Sequence, residues 1–247
     1  MRTDFISQRD PGDENEKGVQ QMKISVIIPV YNEESTIAFV LGAVQAVLSS
    51  KDEIIVVDDG STDETRQRIV NCITNGSRAK LIKNRRNMGK GWSVDRGFSR
   101  AMGDIIIIQD ADIEYDPREY KKLIQPIIDG HADVVYGSRF RGSSPTRVMY
   151  FKNYLANKFL TFMSNLFTGL NLSDMEVGFK AFRADILKGM DLKESGFGFE
   201  PEITAKVKKY RIYEVGISYY GRTYSEGKKI RPRDGFRALY CIFRYNI

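Results

Sequence analysis

Short, wholly apolar runs alternate along the chain with longer segments whose apolar residues recur at helical spacing. Ile24–Val30 (ISVIIPV), Ile54–Val57 (IIVV) and Ile105–Ile108 (IIII) carry apolar side chains towards both faces. Unbroken β-branched runs of this length predict central strands of a parallel sheet, covered above and below. Lys80–Lys83 and Asp133–Tyr136 read as further short strands. Amphipathic stretches lie between them: from Ser35 to about Leu48, from Ser61 onward, from Gly91 to about Met102, and from Pro117 to Asp129. Ser61 with Glu64 three residues on has capping-box spacing, which predicts a helix start there. Strand and helix thus alternate with short connections, implying parallel βαβ units with right-handed crossovers.

After Gly137 the pattern loosens. Met149–Leu170 predicts a helix rich in Phe, Leu and Tyr, yet dotted with Asn153, Asn157, Lys158 and Asn165. Its default reading is core. The alternative is an apolar face against a bilayer, with Lys152 and Lys158 near the headgroups. Asn171–Arg183 mixes turn and strand character, Gly196–Lys206 predicts a helix, Tyr213–Tyr220 a last strand, and a terminal helix begins near Asp234. Residues 221–233 form a loop crowded with Arg222, Lys228, Lys229, Arg231 and Arg233, which is a solvated charge run or a hinged lid. Residues 1–22 are polar and read as a disordered tail. The expectation is one α/β domain over 23–247, with 138–247 elaborating 23–137.

Composition narrows the class only slightly. The 38 Lys and Arg against 32 Asp and Glu leave +6, which suits an anionic small molecule, a membrane surface or nucleic acid. The basic residues fall in a few loops, with no recognition helix or aromatic platform, so nucleic acid is the poor option. Cys72 and Cys241 make no disulfide framework and no metal-ligand spacing, which points to a reducing, cytoplasmic compartment. No apolar run reaches the roughly 18 residues of a spanning helix, and the N-terminus lacks an apolar signal region. The protein is therefore expected to be soluble or peripheral. His131, the only histidine, lies away from every motif and reads as structural, and Trp92 reads as a packing residue at a helix start.

The candidate chemistry sits where the apolar runs stop. The isoleucine strand ends at Gln109-Asp110-Ala111-Asp112. Carboxylates two residues apart at a strand's C-terminal edge face the crevice in which open α/β sheets bind ligands. Two anions that close suit a hard divalent cation, which takes oxygens at about 2.0–2.6 Å. The plainer alternative is a pair of solvated loop acids capping the next helix. Tyr31 and Glu33 follow the first strand and Asp59 follows the second, at the same edge.

VIIPVYNEE, IIVVDDGSTDET, NMGKG, QDAD and YGSR, in this order and spacing, resemble the family-two inverting glycosyltransferases. These have the GT-A fold, a Rossmann-like, mostly parallel sheet with helices on both faces. SDMEVGFKAFR and GRTYSEGKK resemble more narrowly the dolichyl-phosphate mannosyltransferase branch, which includes polyprenyl-phosphate glucosyltransferases. The resemblance runs over 23–247. It implies that 23–137 binds a nucleotide sugar, a UDP- or GDP-hexose, and that 138–247 supplies the acceptor side and a lid. Pro29, Tyr31, Glu33, Val57 and Asp59 then match nucleoside-binding positions. Asp110, Ala111 and Asp112 match the metal motif, with Mg2+ or Mn2+ bridging the phosphates. Glu114, where relatives often carry Gln, is a further ligand or a solvated acid. Gly89 and Lys90 line the donor site, but GKG here is no P-loop. Arg139 matches a phosphate-gripping arginine, and Lys152 falls at a second such position where arginine is expected. Arg222 and Lys228 match a loop closing over the diphosphate.

The resemblance leaves the acceptor open. A polyprenyl phosphate at the inner face of a membrane is already anionic and needs no base. A saccharide hydroxyl, as in surface-polysaccharide synthesis, needs a carboxylate to take its proton. Glu200, Glu202, Asp174 and Glu176 are candidates, and Glu202 matches a glutamate at a helix start in the mannosyltransferase branch. A sugar-nucleotide nucleotidyltransferase would carry a glycine-rich N-terminal loop, which Pro29–Glu33 is not. The non-enzyme reading is a nucleotide-sugar-binding subunit with a decayed site, against which Asp110, Asp112, Arg139 and Lys228 argue.

Overall fold

A computed structural model describes residues 22–142, 144–223 and 232–247. Among these, seven strands form one sheet: β1 (Ile24–Val30), β2 (Glu53–Asp58), β3 (Ala79–Lys83), β4 (Ile105–Ile108), β5 (Val134–Ser138), β6 (Lys180–Arg183) and β7 (Ile212–Gly216). Their spatial order is β3-β2-β1-β4-β6-β5-β7. β1 pairs in parallel with β2 and β4, placing Pro29 beside Val57 and Ile27 beside Ile108. The helices are α1 (Ile37–Val47), α2 (Thr65–Thr74), α3 (Lys90–Phe98), α4 (Tyr120–Ile128), α5 (Phe151–Thr168), α6 (Ala184–Leu187), α7 (Phe199–Val207) and α8 (Pro232–Arg244), with a single 3-10 turn at Pro117–Glu119. The core gathers around the isoleucine and valine runs of β1, β2 and β4, which are buried on both faces as their composition requires.

The succession of parallel units is interrupted once. β6 runs antiparallel to both neighbours, between β4 and β5. Residues 171–179 already pass along the C-terminal edge of the sheet, where Phe179 O accepts from Gly137 N at 2.9 Å. The chain therefore enters β6 from that edge and must run backwards. The elaboration at 138–247 thus contributes two strands to the sheet itself.

Three local expectations need correction. The capping box at Ser61 and Glu64 does not form. Ser61 Oγ instead accepts from Asn32 N at 3.1 Å, and α2 starts at Thr65, whose N–H donates to Asp63 Oδ1 at 3.0 Å. The helix expected to reach Met102 ends at Phe98. Trp92 is 45% exposed and does not pack inward.

α5 departs further from its default reading as core. Only Leu160, Thr161 and Ser164 are buried, while Phe151, Leu155, Phe159, Phe162 and Leu166 form one exposed stripe at helical spacing. α8 packs beside it through Phe167 and Phe243, whose ring centroids are 4.8 Å apart. It shows a second stripe of Phe236, Tyr240 and Phe243, followed by Ile247. Among the described residues, no helix is long and apolar enough to cross a membrane.

Candidate active site

The first polar residues after β1, β2 and β4 emerge together because these strands are parallel and in register. Asp59 N donates to Val30 O at 2.8 Å, and Gln109 N to Ile27 O at 2.9 Å. Gln109 is buried and accepts from Tyr120 Oη at 2.9 Å, which holds the start of the Asp110–Asp112 turn against α4. Thr36 Oγ1 lies 3.0 Å from Glu33 Oε2 and 2.9 Å from Ala111 O, joining the ends of β1 and β4.

Three carboxylates converge on Arg222, which enters from the segment after β7. Its Nη1 donates to Glu33 Oε2 at 3.0 Å, and its Nη2 to Glu33 Oε1 at 3.2 Å and Asp112 Oδ2 at 2.9 Å. Its backbone N–H donates to Glu114 Oε1 at 2.6 Å, while Tyr219 Oη donates to Glu114 Oε2 at 3.1 Å. The buried Nε has no hydrogen-bond partner. Burial, together with the charges of Asp110 and Glu114, raises the Asp112 carboxyl to about 7 despite Arg222. Four carboxylates, those of Glu33, Asp110, Asp112 and Glu114, stand here against the two cations Arg222 and Lys90.

That excess of carboxylates suits a divalent cation. Hard oxygens in excess of neighbouring positive charge suit Mg2+ or Mn2+. Among the described residues, however, no group of three His, Cys, Asp or Glu is arranged as a ready cage. Asp110 and Asp112 fit as an incomplete ligand set for such a cation.

Lys90 sits on the other side of Asp110. Its Nζ is 2.8 Å from Asp110 Oδ1 and 3.1 Å from Glu200 Oε1 in the first turn of α7. Burial alone would lower the pKa of this ammonium, but the Asp110 and Glu200 charges outweigh it and hold it above its ordinary value. Asp59 fixes the approach to Lys90 by accepting from Asn84 Nδ2 at 2.6 Å, Met88 N at 2.9 Å and Gly89 N at 2.7 Å. Gly89 has φ +101°, and a Cβ there would overlap Ser195 O, so only glycine fits. Behind the pair, buried Lys180 donates to Val177 O and lies over the Tyr136 ring. Burial lowers the Lys180 pKa, and burial with the Glu200 charge raises that of Glu176, whose Oε1 is buried without a partner.

Not every residue picked out in the sequence is available for the role its motif implies. Arg139 gives Nε and Nη2 to Asp174 at 2.7 Å each, so its fork is already half filled by a buried carboxylate. Glu202 is fully buried and accepts from Lys193 N at 2.8 Å, Glu194 N at 2.7 Å and Lys206 Nζ at 2.6 Å. It anchors the 193–194 segment to α7, while Glu200 is the acid of that turn that meets Lys90. Asp59 spends three of its roughly four acceptor sites on the 84–89 loop, leaving little for a base. Pro29 and Val57 are buried within the sheet, and Lys152 is exposed on α5. Lys228 lies outside the described residues. Tyr31 is half-buried at the β1 edge. A cavity of about 240 Å³ adjoins Arg222, lined by Arg147–Tyr150, just before α5, and by Tyr219 and Gly221–Thr223. A larger hollow of about 370 Å³ between α1 and α2 contains none of these side chains.

Gly178 and Thr36 carry no sequence signal that ties them to the site, and Glu200, one of four candidate bases in the sequence, is placed by the structure on Lys90 beside Asp110. The one usable signal for Glu200 was an acid in the first turn of a helix, which helix-dipole compensation explains equally well.

Comparison with known proteins identifies the family of the chain and the likeness of its fold. A family model described as Glycosyl transferase family 2 covers residues 25–190. A dolichol-phosphate mannosyltransferase of Pyrococcus furiosus is 30% identical over 226 residues, which are 90% of this chain and 63% of that protein. A UDP-N-acetylglucosamine–dolichyl-phosphate N-acetylglucosaminyltransferase of Methanococcus voltae is 31% identical, over 89% of this chain and 94% of that protein. The chain spans 51% to 63% of the length of several other curated relatives, less than two thirds. Among solved structures, glucosyl-3-phosphoglycerate synthase from Mycobacterium tuberculosis, crystallised with Mn2+, uridine diphosphate and glucosyl-3-phosphoglycerate, superposes with a TM-score of 0.72. The match covers 92% of this chain and 80% of that one at 20% identity, a likeness of fold.

Proposed function

Because the chain belongs to glycosyl transferase family 2, we propose that it transfers a hexose from a UDP- or GDP-sugar to a polyprenyl phosphate. The reaction would use Mg2+ or Mn2+ at the cytoplasmic face of a membrane. The observation that carries this reading is the meeting of Glu33, Asp112 and Glu114 on Arg222, beside Asp110 on Lys90, at one edge of parallel strands. Acids there suit ribose hydroxyls and a divalent cation, and the bases suit a diphosphate. The names of two relatives that act on dolichyl phosphate support the acceptor class.

In this mechanism Tyr31 packs on the base and Glu33 accepts from the ribose or base. Asp110 and Asp112 would hold the cation, which supplies charge neutralisation at the departing nucleoside diphosphate, while Glu114 is engaged by Arg222 N and Tyr219 Oη. Lys90 and Arg222 bind the diphosphate oxygens, and Lys228 is assigned to the same lid. An oxygen of the acceptor phosphate attacks the anomeric carbon from the face opposite the diphosphate. The bond from that carbon to the diphosphate oxygen breaks, its electron pair leaves with the diphosphate, and the configuration inverts. The acceptor oxygen carries no proton to remove, so positioning and electrostatics suffice. The engagement of Glu202 with residues 193–194 supports a reaction that does not use it as a base.

The exposed stripes of α5 and α8 form the membrane contact of this proposal, with Lys152 at the headgroups. The cavity lined by Arg147–Tyr150, Tyr219 and Gly221–Thr223, just before α5, would admit the acceptor headgroup. Replacing Leu155, Phe159 and Phe162 together with Glu is expected to lower binding to anionic vesicles at least tenfold. Each large apolar side chain contributes about 1.5–3 kcal/mol when buried. Unchanged co-sedimentation with vesicles would remove the two helices from the proposal.

The transfer itself is tested with membranes containing the chain, labelled UDP- and GDP-hexoses, and Mn2+. An acid-labile, lipid-extractable product is expected. A labelled oligosaccharide instead would move the acceptor to a saccharide hydroxyl and bring Glu176 or Glu200 forward as base. Nucleotide binding without transfer would indicate a donor-binding subunit.

A further inference from the structure

Asp110 is tied through one nitrogen to a residue 90 positions further along the chain. Lys90 Nζ is shared between Asp110 Oδ1 at 2.8 Å and Glu200 Oε1 at 3.1 Å, so the β4 edge, the start of α3 and the start of α7 meet at one ammonium. Glu200 is 3% exposed, and its second oxygen, Oε2, is buried without a hydrogen-bond partner. A buried polar atom left unpaired destabilises the fold that holds it. Fold stability alone does not account for a carboxylate placed there. Gly178 closes the arrangement from the β6 side. A Cβ at that position would overlap Asp110 Oδ2 and crowd Lys90 Nζ, so the space the carboxylate occupies exists only because the residue is glycine.

We propose that Glu200 is a positioning residue for Asp110 and acts through Lys90. An ammonium held between two carboxylates neutralises each only in part. By drawing Lys90 towards α7, Glu200 leaves Asp110 with enough negative charge to serve as a cation ligand. Without Glu200, Lys90 closes on Asp110 alone and competes with the cation for the same oxygen. Asp110 Oδ2 lies directly against Gly178. This inference rests on the reading of Asp110 and Asp112 as the cation-binding pair. It makes Glu200, which the motifs do not single out above Glu202, the acid of the first turn of α7 that matters to the site. It also gives Lys90 a role before any donor is bound.

The test is titration of the full chain with Mn2+ alone, followed by the electron paramagnetic resonance signal of the free ion. Omitting nucleotide keeps any contact of Lys90 with phosphate out of the measurement. Glu200→Gln preserves the shape of the side chain and removes its charge. It is expected to weaken Mn2+ binding about tenfold, the lower end of the effect of removing an outer-shell partner of a metal ligand. Lys90→Gln is expected to bind Mn2+ at least as tightly as wild type. The double substitution should behave like Lys90→Gln, because Glu200 has no further effect once the ammonium is gone. A purely structural role for Glu200 would lower the melting temperature but would not be rescued by changing Lys90.

Wild-type Mn2+ affinity in Glu200→Gln, or losses that simply add in the double variant, would overturn the proposal. Glu200→Asp keeps the charge but draws it back from Nζ, and should fall between Gln and wild type. It supplies the measurement if the Gln variant does not fold, and wild-type affinity there would then count against the proposal. Asp112→Asn in the same titration separates the two levels. If it leaves Mn2+ binding unchanged, the cation site itself is misplaced. If it weakens binding while Glu200→Gln does not, only the role of Glu200 fails.

Discussion

Asp112→Asn is expected to abolish Mn2+-dependent binding of UDP and GDP while leaving the chain folded. Asparagine keeps the shape of the side chain and an acceptor for Arg222 Nη2, which now sits 2.9 Å from Asp112 Oδ2. It removes the charge that a divalent cation needs. The fold has little to lose, since the ionised carboxylate is disfavoured by burial and by Asp110 and Glu114, which raise its pKa from 3.8 to about 7. The sign of the pH dependence follows. Between the ordinary pKa of 3.8 and about 7 the folded protein binds more protons than the unfolded chain, so this group's contribution to stability falls as pH rises through that window. Thermal melts of the cation-free Asn variant should therefore decline less between pH 5 and pH 8 than those of wild type. Mn2+ competes with the proton, so wild-type Mn2+ affinity should be weaker at pH 6 than at pH 8. Calorimetric titration at both pH values reads all of this. Persisting Mn2+-dependent nucleotide affinity in the variant would sink the cation role of Asp112.

The second large effect is on stability. Asp174→Ala is expected to cost about 3–5 kcal/mol, the range for removing one partner of a buried ion pair. The Arg139 side chain is 8% exposed and that of Asp174 is fully buried, with contacts of 2.7 Å from both Nε and Nη2. Alanine leaves a guanidinium in the interior without a counter-charge. Burial opposes the charged form of Arg139, and Asp174 more than compensates, holding its pKa well above the ordinary value. Replacing both partners with leucine removes the charge along with its partner and should recover most of the loss. Urea unfolding of the single and double variants gives both numbers. A single-variant loss below about 1 kcal/mol, the range of an exposed pair, would mean that the pair is solvated.

The pair also shows how a motif and its residue can part company. Arg139 follows β5 at the position where phosphate-gripping arginines stand, and the sequence supports that role. Asp174, which occupies its fork, comes from a segment whose pattern was only a mixture of turn and strand. Asp59 repeats the lesson, since its carboxylate is largely committed to the loop that delivers Lys90. Glu202 matched a motif and proved to be an anchor, while its neighbour Glu200 reaches the site. A local motif fixes where a side chain starts, but for Arg139 and Asp59 the partners come from residues tens of positions away.

What the sequence determined by itself is the set of strands and the edge at which chemistry collects. A strand buried on both faces leaves little room for charge, so polar residues gather at its C-terminal end, after Val30 and Ile108 and at Asp58 and Asp59 after Val57. Parallel pairing then brings those ends together. What only the tertiary structure decided is which charge answers which. The backward run of β6, Arg222 among Glu33, Asp112 and Glu114, and Lys90 between Asp110 and Glu200 all join residues far apart in the chain. The outward stripe of α5 belongs here too, because an apolar period reads the same whether the helix turns it towards the core or away. Pairings of this kind depend on distance and shared burial in space, and neither quantity is written in the order of the residues.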